Sequence, residues 1–576
     1  MDQILRINLS DLSVKYEPVP SAWAGFGGRA MTSTIVAAEV PATCHPLGPK
    51  NKLVFAPGLL TGTAASNSGR LSVGAKSPLT GGIKESNAGG TAAQMIAKLG
   101  LKAIILEGAP TDGKWRAIYI KKGETHIEEE TETIGMGNYD SVQTLNKRLN
   151  PKAGMIVLGP AGEMTMLTSN ISVKDPDSHL RSHGRGGLGA VMGSKKVKFI
   201  SIDPTGAKGL TIADPEKFKA ASKAFTDFLM AHPVSGSGLT TYGTDILINI
   251  VNEAGGLPTK NFRTGQFDAH DKISGEAMFD TIQKRKGKPT HACHPGCVIR
   301  CSQIYNDEHG NYLTSGFEYE SIWALGAHAN VENLDHIAEA DRIMDDLGLD
   351  SIETSVMFGV AMEAGLLKWG DGKEVVRLLK DEIAKGTPLG RLLGAGTASV
   401  GRAYGVTRVP VVKNQAIPAY DPRSVKGIGI TYATTPMGAD HTSGYSVTAN
   451  ILGVGGHLDP LKKDGQIELS RNLQIATAAV DSTGMCLFIA FPVLDNPAVL
   501  TALVDMINAR FGINLDGNDV VGLGKYVLKT EHQFNLDAGF TNKDDRLPEF
   551  FEMEPLPPHN TLWDFTPEEI DTFWNF

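Results

Sequence analysis

The sequence is poor in cysteine, in surplus positive charge and in long apolar runs. Five cysteines among 576 residues are too few, and odd in number, for a disulfide framework. Lys and Arg total 55 against 64 Asp and Glu, so the net charge of −9 gives no sign of a nucleic-acid partner. No run approaches the ~18 consecutive apolar residues of a membrane span, and the first residues lack the zones of a signal peptide. We therefore expect a cytoplasmic protein with no membrane span and no nucleic-acid partner.

Glycine, by contrast, is abundant. The chain has 65 glycines, whereas the usual ~7% would give about 40. They cluster at residues 25–28, 80–90 and 184–193. Because glycine lets the backbone approach a ligand closely or adopt a positive φ, the clusters favour ligand-binding loops. Tight turns in a β-rich region are the alternative interpretation.

The pattern of apolar residues divides the chain into three regions. The first is β-rich, since short apolar segments such as 102–109 and 197–203 alternate with Gly, Pro and Asn turns. Helical spacing begins after Pro204, and a Pro-rich segment at 409–423 opens a third region that is again largely helical. The sequence predicts an α+β fold with a β-rich N-terminal domain (1–205) and two mostly helical domains (206–405 and 406–576).

Several helix boundaries can also be predicted. Asp214 suits an N-cap because Pro215 follows it at the first helical position. Gly348 suits a C-cap, and Asp350 suits the N-cap of the next helix. The predicted helices span residues 334–346, 351–367, 373–385, 469–480 and 496–512.

Four of the five cysteines form a pattern typical of a metal cluster. Cys293, Cys297 and Cys301 share one loop, HACHPGCVIRC, and Cys486 lies far downstream. Three thiolates in one loop with a remote fourth are typical ligands of a [4Fe–4S] cluster. A structural zinc site and unconnected buried cysteines remain open, while a radical-SAM loop has a different spacing. Cys44 is expected to be a core or loop residue.

A second pattern, Asp-x-x-Gly-Leu/Met-Asp/Cys, occurs twice. It spans Asp345–Asp350 and Asp481–Cys486. Carboxylates accept hydrogen bonds from the N–H groups of a heterocycle, and glycine lets the backbone lie against it. Either copy alone would be an ordinary helix C-cap. Two copies, one of which ends in the fourth cysteine, favour a cofactor site.

Motifs along almost the whole chain resemble those of one family. They are GFGGRA (25–30), GPKNKLVFAPGLLTGT (48–63), SGRLSVGAKSPLTG (68–81), ESNAGG (85–90), GRGGLGAVMGSKKVKFI (184–200), the cysteine loop, EYE (318–320), both Asp-x-x-Gly phrases, PAYDPR (418–423) and GADH (438–441). In content and order they resemble the tungsten-containing aldehyde:ferredoxin oxidoreductase family. The resemblance implies a bis-pterin tungsten cofactor beside one [4Fe–4S] cluster, with the N-terminal domain as the pterin-binding platform.

The resemblance also implies ligands for the cluster. Cys293, Cys297, Cys301 and Cys486 match the cluster ligands, and Arg70 matches an arginine between cluster and pterin. The commoner loop of the family is Cys-x2-Cys-x3-Cys, so the longer first spacing here indicates a divergent branch.

The remaining cofactor contacts follow from the same resemblance. Asn87 and Gly186 match residues whose carbonyls reach an Mg²⁺ ion that bridges the pterin phosphates, and Gly89 and Arg185 lie in the same segments. Residues of the two Asp-x-x-Gly phrases are expected to contact the pterins: Asp345, Gly348, Leu349, Asp350, Asp481 and Met485. The pterin sulfurs hold the metal, so the sequence does not distinguish tungsten from molybdenum. Ser443 stands where some members carry a basic pterin contact.

Glu318 and His441 are the candidate catalytic residues, and Glu320 is an equally acidic neighbour. A carboxylate can accept a proton from water, and a histidine can polarise a carbonyl oxygen or relay a proton. The resemblance implies oxidation of an aldehyde to a carboxylic acid, with electrons passing through the cluster to ferredoxin or a ferredoxin-like iron–sulfur subunit. A homodimer or a hetero-oligomer is compatible with the sequence. Two alternatives are a catalytic subunit of a larger complex that reduces an aromatic or activated acid, and a non-catalytic paralogue that carries the cofactor.

Overall fold

Two six-stranded mixed sheets dominate the N-terminal region of the computed structural model, which describes residues 2–576. The first sheet, in the order β2-β1-β6-β3-β4-β5, contains β1 (Gln3–Asn8), β2 (Ser13–Pro18), β3 (Leu53–Pro57), β4 (Leu71–Lys76), β5 (Ile83–Ala88) and β6 (Leu101–Glu107). The second, in the order β11-β10-β9-β12-β7-β8, contains β7 (Arg116–Lys121), β8 (Glu124–Glu129), β9 (Gly154–Val157), β10 (Ile171–Lys174), β11 (Leu180–His183) and β12 (Val197–Asp203).

Side chains that alternate along the strands bury both faces of the first sheet. Leu5 and Phe55 point toward the second sheet and share an apolar core with Ile156. Ile4 points the other way and packs with Ile35 of the first helix. The helices of this region are α1 (Gly28–Glu39), α2 (Ala92–Lys98), α3 (Asn138–Arg148), α4 (Pro160–Glu163) and α5 (Leu188–Ser194).

Helices dominate the rest of the chain, so the predicted fold class is confirmed. The middle region contains α6 (Pro215–Ala231), α7 (Leu239–Tyr242), α8 (Leu247–Glu253), α9 (Gly275–Lys284), α10 (Tyr319–Leu325), α11 (Leu334–Leu347), α12 (Ser351–Glu363), α13 (Gly372–Leu378), α14 (Pro388–Leu393) and α15 (Thr397–Tyr404). The C-terminal region contains α16 (Lys426–Thr434), α17 (Gln466–Thr483), α18 (Ala490–Asp495), α19 (Pro497–Phe511), α20 (Gly517–Asp537), α21 (Phe550–Met553) and α22 (Pro567–Asp571).

The predicted caps occur where the sequence indicates them. The Asp214 side chain accepts the Lys217 N–H at the start of α6. Gly348 ends α11 in the left-handed conformation, and the Asp350 carboxylate accepts two backbone N–H groups at the start of α12. α12 ends at residue 363, before the predicted 367, because the left-handed Gly365 follows. The predicted helix 373–385 changes at residue 379 into a π-helical turn.

The edges of the two large sheets meet where the middle region joins them. Edge strand β5 lies against edge strand β11, and His183 Nδ1 lies 2.9 Å from the carbonyl oxygen of Ser86. A small antiparallel sheet follows, formed by β13 (Lys288–His291), β14 (Ser302–Asn306) and β15 (Tyr312–Ser315). The cysteine loop connects β13 to β14. It lies beside the meeting edges, because the Gly90 N–H after β5 donates to the Cys293 carbonyl at 2.8 Å and Arg181 of β11 donates to the Ser302 hydroxyl at 2.8 Å. None of the helices within residues 2–576 is both long and apolar enough to cross a membrane.

Candidate functional site

One cavity of about 410 Å³ is lined by all three regions of the chain. Most of the sequence-predicted site residues line it: Arg70, Asn87, Gly89, Arg185, Cys293, Cys297, Cys301, Glu318, Glu320, Asp345, Leu349, Asp350, His441, Asp481 and Cys486. Gly186, Gly348 and Met485 belong to the same segments but do not line the cavity. The structure therefore brings together residues that are up to several hundred positions apart in the sequence.

The cysteines form one end of this cavity. Arg70 Nη2 lies 3.6 Å from the Cys486 sulfur, and the Arg300 backbone N–H donates to the Cys297 sulfur at 3.3 Å. Asn67 contacts both the cysteine loop and the segment around Cys486. Its side-chain Nδ2 lies 3.8 Å from the Cys297 sulfur, and its backbone carbonyl accepts the Cys486 N–H. Cationic and N–H donors directed at sulfur stabilise the thiolate form.

The pKa values of the thiols at this end shift in opposite directions. The pKa of Cys293 is lowered well below its usual value, first by a hydrogen bond from the Cys297 thiol and then by His294 and Arg70. Burial raises the pKa of Cys301. Cys301 comes directly before β14, and its backbone forms an isolated β-bridge with His291. Cys301 therefore lines the cavity together with Cys293 and Cys297. Cys44 lies elsewhere, half-buried against the core between α1 and the first sheet.

Four thiols with sulfur-directed donors are a donor set suited to an iron–sulfur cluster. Soft thiolate ligands favour iron–sulfur clusters or zinc over hard cations. Arg70 also has a buried Nε without a hydrogen-bond partner among residues 2–576, so it can donate to a further group beside the cysteines. The cysteine end therefore fits a cluster next to an anionic or polar cofactor.

The wall formed by the two sheet edges carries the residues predicted to face phosphates. Arg185 is held rigidly, because its guanidinium donates to the carbonyls of Ala439 at 2.6 Å and Ala416 at 2.7 Å. Gly186 has a φ of 89°, and a Cβ there would lie 2.5 Å from Cγ of Lys84. Its carbonyl accepts the Ser77 hydroxyl at 2.7 Å, so this oxygen is already engaged within the protein.

The predicted pterin-binding carboxylates differ in how they are held. Burial raises the pKa of Asp345 to about 7 and that of Asp481 to about 6. Asp481 contacts Asn87 at 3.2 Å and Arg29 at 3.3 Å. Asp350 Oδ1 caps α12, and its Oδ2 lies 3.3 Å from Arg185 Nε. Asp345, by contrast, accepts only the Tyr139 hydroxyl, at 3.4 Å, among the side chains of residues 2–576, so its carboxylate is the least engaged of the three.

Glu320 and His441 lie together on the cavity wall. His441 Nε2 is 3.2 Å from Glu320 Oε1, and the Ala419 N–H donates to Glu320 Oε2 at 3.1 Å. Burial raises the pKa of Glu320 to about 8 and lowers that of His441 to about 4. Within residues 2–576, Glu320 Oε1 and His441 Nδ1 have no partner that satisfies hydrogen-bond geometry. The pair therefore offers an uncharged acid and an uncharged imidazole to a bound molecule.

Glu318 lies on the same wall but points to different neighbours. Its Oε2 accepts the Thr244 hydroxyl at 2.6 Å, and burial raises its pKa. The structure thus places Glu320, and not Glu318, beside His441. Two tyrosines, Tyr420 and Tyr445, join their hydroxyls at 2.7 Å and add an aromatic surface beside His441.

Several charged residues of the cavity were not predicted from the sequence. Buried Arg29 forms ion pairs with Glu531 and Asp481. Glu85 also lines the cavity, and burial raises its pKa to about 8. Asp341 lines it one helical turn before Asp345. The available signals were the position of Arg29 within GFGGRA and the spacing of four between Asp341 and Asp345, which places both on one helix face.

The comparisons with known proteins assign this architecture to a class, the oxidoreductases. The family profile described as "Aldehyde ferredoxin oxidoreductase, N-terminal domain" matches residues 4–204, and the profile described as "Aldehyde ferredoxin oxidoreductase, domains 2 & 3" matches residues 220–570. The chain belongs to the aldehyde ferredoxin oxidoreductase family. The resemblance predicted from the motifs is therefore confirmed.

Known relatives and one solved structure extend this result. The chain is 36% identical to the tungsten-containing aldehyde ferredoxin oxidoreductase of Pyrococcus furiosus, covering 96% of this chain and 92% of the relative. It is 35% identical, with the same coverage, to the enzyme of that name from Thermococcus kodakarensis. The BamBC active-site complex of benzoyl coenzyme A reductase contains a chain with the same fold, at a TM-score of 0.82 and 20% identity, covering 100% of this chain and 93% of that one.

Proposed function

We propose that this protein oxidises aldehydes to carboxylic acids and passes the electrons through one [4Fe–4S] cluster to ferredoxin or a ferredoxin-like subunit. The observation that carries the proposal is the single cavity in which four cysteines, buried carboxyls and the Glu320–His441 pair meet. Relatives at about 35% identity over nearly the whole chain carry this activity in their names.

The cofactors that fit this cavity are the cluster and a tungsten or molybdenum bis-pterin. Cys293, Cys297, Cys301 and Cys486 would hold the cluster, and Arg70 with its free Nε would lie between the cluster and a pterin. Asp345 and Asp481 would accept hydrogen bonds from the pterin heterocycles, while Asn87, Gly89 and Arg185 would face the phosphates. An Mg²⁺ ion would reach the phosphates through oxygen ligands on the same wall. When bound, the metal–pterin group supplies the two-electron redox chemistry.

The protein side chains account for the proton steps. Oxidation of an aldehyde with water to a carboxylic acid releases two electrons and two protons. Glu320, which lines the cavity, can in its carboxylate form accept a proton from water at Oε1, the oxygen beside His441 that makes no hydrogen bond within residues 2–576. Neutral His441 can donate its single N–H, at Nδ1, to the carbonyl oxygen, and its unprotonated Nε2, 3.2 Å from Glu320 Oε1, can accept the proton that Glu320 has taken from water. Tyr420 and Tyr445 would form an aromatic wall of the space that holds the substrate.

A larger complex is the second candidate. The chain is 25% identical, over 92% of its length, to the WOR-like subunit of an aliphatic sulfonate oxidoreductase of Pyrococcus furiosus. The higher identity to the aldehyde enzymes favours the first candidate. The complete cysteine set and the free acid–base groups argue against a non-catalytic paralogue.

The test is anaerobic reduction of a viologen dye by the purified chain with a panel of aldehydes, together with elemental analysis. We expect aldehyde-dependent reduction in a protein that contains iron and tungsten or molybdenum. A fully loaded protein that reduces dye with none of the aldehydes, but gains activity with a partner subunit and an activated acid, would instead support the larger complex.

A further inference from the structure

One part of the cavity wall is formed by a segment without charge. Residues 487–494, LFIAFPVL, contain neither a charged nor a polar side chain. The members of this segment that line the cavity are Leu487, Phe488, Ala490, Phe491 and Leu494. The arginines and carboxyls that line the cavity all come from other segments. This part of the wall therefore offers apolar surface, and no counter-charge, to a bound molecule.

The same segment extends from the interior of the cavity to the surface. Phe491 is buried, Leu494 is half-buried, and Asp495 directly after it is exposed. Asp495 holds this outer end in place, because its carboxylate accepts the Gly455 N–H at 2.7 Å and lies 3.0 Å from His232 Nε2. Gly455 also packs on Leu494, since a Cβ at Gly455 would lie 3.0 Å from Leu494 Cβ. Apolar side chains thus continue from the surface to the interior.

Tyr445 connects this segment to the proposed reacting centre. Its ring centroid lies 6.3 Å from that of His441, and the tyrosine packs against the apolar cluster that contains Phe491 and Ile299. Phe491 in turn stacks on Phe488, with the ring centroids 6.1 Å apart and the planes at 16°. Aromatic groups attract one another at such spacings. A molecule whose carbonyl group lies at His441 therefore has an aromatic surface available for the rest of its structure.

We propose that Phe488, Phe491 and Leu494 bind the organic group R of the aldehyde RCHO and select aldehydes with an aromatic or long apolar R. This inference rests on the proposed aldehyde oxidation. Burial of the apolar surface of R is favourable. A carboxylate or phosphate on R would instead lose its hydration at a wall that has no donor or cation to replace it. The three side chains determine specificity and take no part in the proton steps.

The test compares kcat/KM for 3-phenylpropanal, acetaldehyde and succinic semialdehyde, which carries a carboxylate, in dye reduction. Wild type should prefer 3-phenylpropanal to both others. Leu494→Ala should lower the kcat/KM ratio of 3-phenylpropanal to acetaldehyde by about tenfold, the scale of a lost apolar contact in a binding pocket. The change should come from a higher KM for 3-phenylpropanal, because the contact is equal in the ground and transition states. Leu494→Arg should raise kcat/KM for succinic semialdehyde relative to 3-phenylpropanal.

Leu500→Ala is the matched control for these variants. Leu500 is half-buried like Leu494 but does not line the cavity, so the three kcat/KM values should equal those of wild type. Phe488→Ala provides a second variant at a half-buried position of the wall, and it should lower the same ratio as Leu494→Ala. Should Leu494→Arg not fold, Leu494→Ala and Phe488→Ala decide.

Binding of 3-phenylpropanamide gives a measurement that does not depend on turnover, because this amide keeps the apolar group and has no aldehyde to oxidise. It should raise the melting temperature of wild type, and the increase should be smaller in Leu494→Ala and Phe488→Ala. Wild-type aldehyde ratios in both active variants, or a wild-type preference for succinic semialdehyde, would overturn the specificity role and leave the proposed function intact. If a fully loaded wild type oxidises none of the aldehydes, the proposed function falls. A melting shift by the amide that is reduced in the two variants would then still support apolar binding at this segment, and no shift would overturn it.

Discussion

The two ends of the cavity favour opposite charge states of their ionisable groups. At the cysteine end, the hydrogen bond from the Cys297 thiol, and then His294 and Arg70, favour negative charge on Cys293. At the other end, burial keeps Glu320 protonated and His441 neutral. The first end is built to hold a charged group permanently, whereas the second is built to gain and lose protons near neutral pH.

The charged neighbours of His441 help to explain this difference. Asp440, next to His441, accepts the buried Lys84 ammonium at 3.0 Å and the Thr442 N–H at 3.1 Å. Although burial disfavours its charged form, Lys84 and Arg185 lower the pKa of Asp440, so this acid stays ionised beside a neutral histidine. Asp440 thus pairs with Lys84 and Asp350 pairs with Arg185, so neither cation is paired with Glu320.

The largest expected effect is at the cysteine end. Cys486→Ala removes the one proposed cluster ligand that comes from the C-terminal region. We expect loss of bound iron, loss of the EPR signal of the reduced cluster, and no detectable aldehyde-dependent dye reduction. Cys44→Ala is the matched control, since Cys44 lies outside the cavity, and its iron content should equal that of wild type. Wild-type iron and EPR in Cys486→Ala would show that Cys486 is not a ligand.

The next effect is at the opposite end and concerns rate alone. Glu320→Gln and His441→Asn should retain iron, metal and pterin while kcat falls by ~10²–10⁴-fold, the range of general acid–base catalysis. Because Glu320 is proposed to act as a base in its carboxylate form, and burial raises its pKa to about 8, wild-type kcat should rise as the pH rises to about 8. This rise should be absent in Glu320→Gln. Glu318→Gln should lose less activity than Glu320→Gln, and the reverse order would place the reacting proton at Glu318.

The sequence alone reached the residue sets of both ends but not their internal arrangement. The cysteines and the Asp-x-x-Gly phrases were readable because their spacing is unusual, and the sheet-then-helix order was readable from the period of the apolar residues. The sequence did not show which glutamate lies beside His441, because Glu318 and Glu320 are only two residues apart at the start of one helix. The backbone N–H of Ala419, 99 residues later, orients Glu320. Arg29 and Glu85 were missed because charged residues are seldom buried, and only the tertiary fold shows their partners.

The smallest effect lies between the two ends, at Asp345. Asp345→Asn removes a carboxylate that lines the cavity, so the purified protein should retain less pterin than wild type. Asp346→Asn is the neighbouring control, because Asp346 binds the Tyr139 N–H and does not line the cavity, and its pterin content should stay unchanged.

In cofactor-free protein the same substitution should make stability less dependent on pH. Burial raises the pKa of Asp345 from 3.8 to about 7, so its contribution to stability is complete below pH 3.8 and is lost as the pH rises through about 7. Asparagine cannot ionise, and the melting temperature of Asp345→Asn should therefore fall by fewer degrees than that of wild type between pH 5 and pH 8, conditions chosen on either side of about 7. Parallel curves for the two proteins, measured by calorimetry, would mean that Asp345 is already ionised in the empty cavity. The carboxylate would then belong with the permanently charged cysteine end and not with the protonated residues around Glu320.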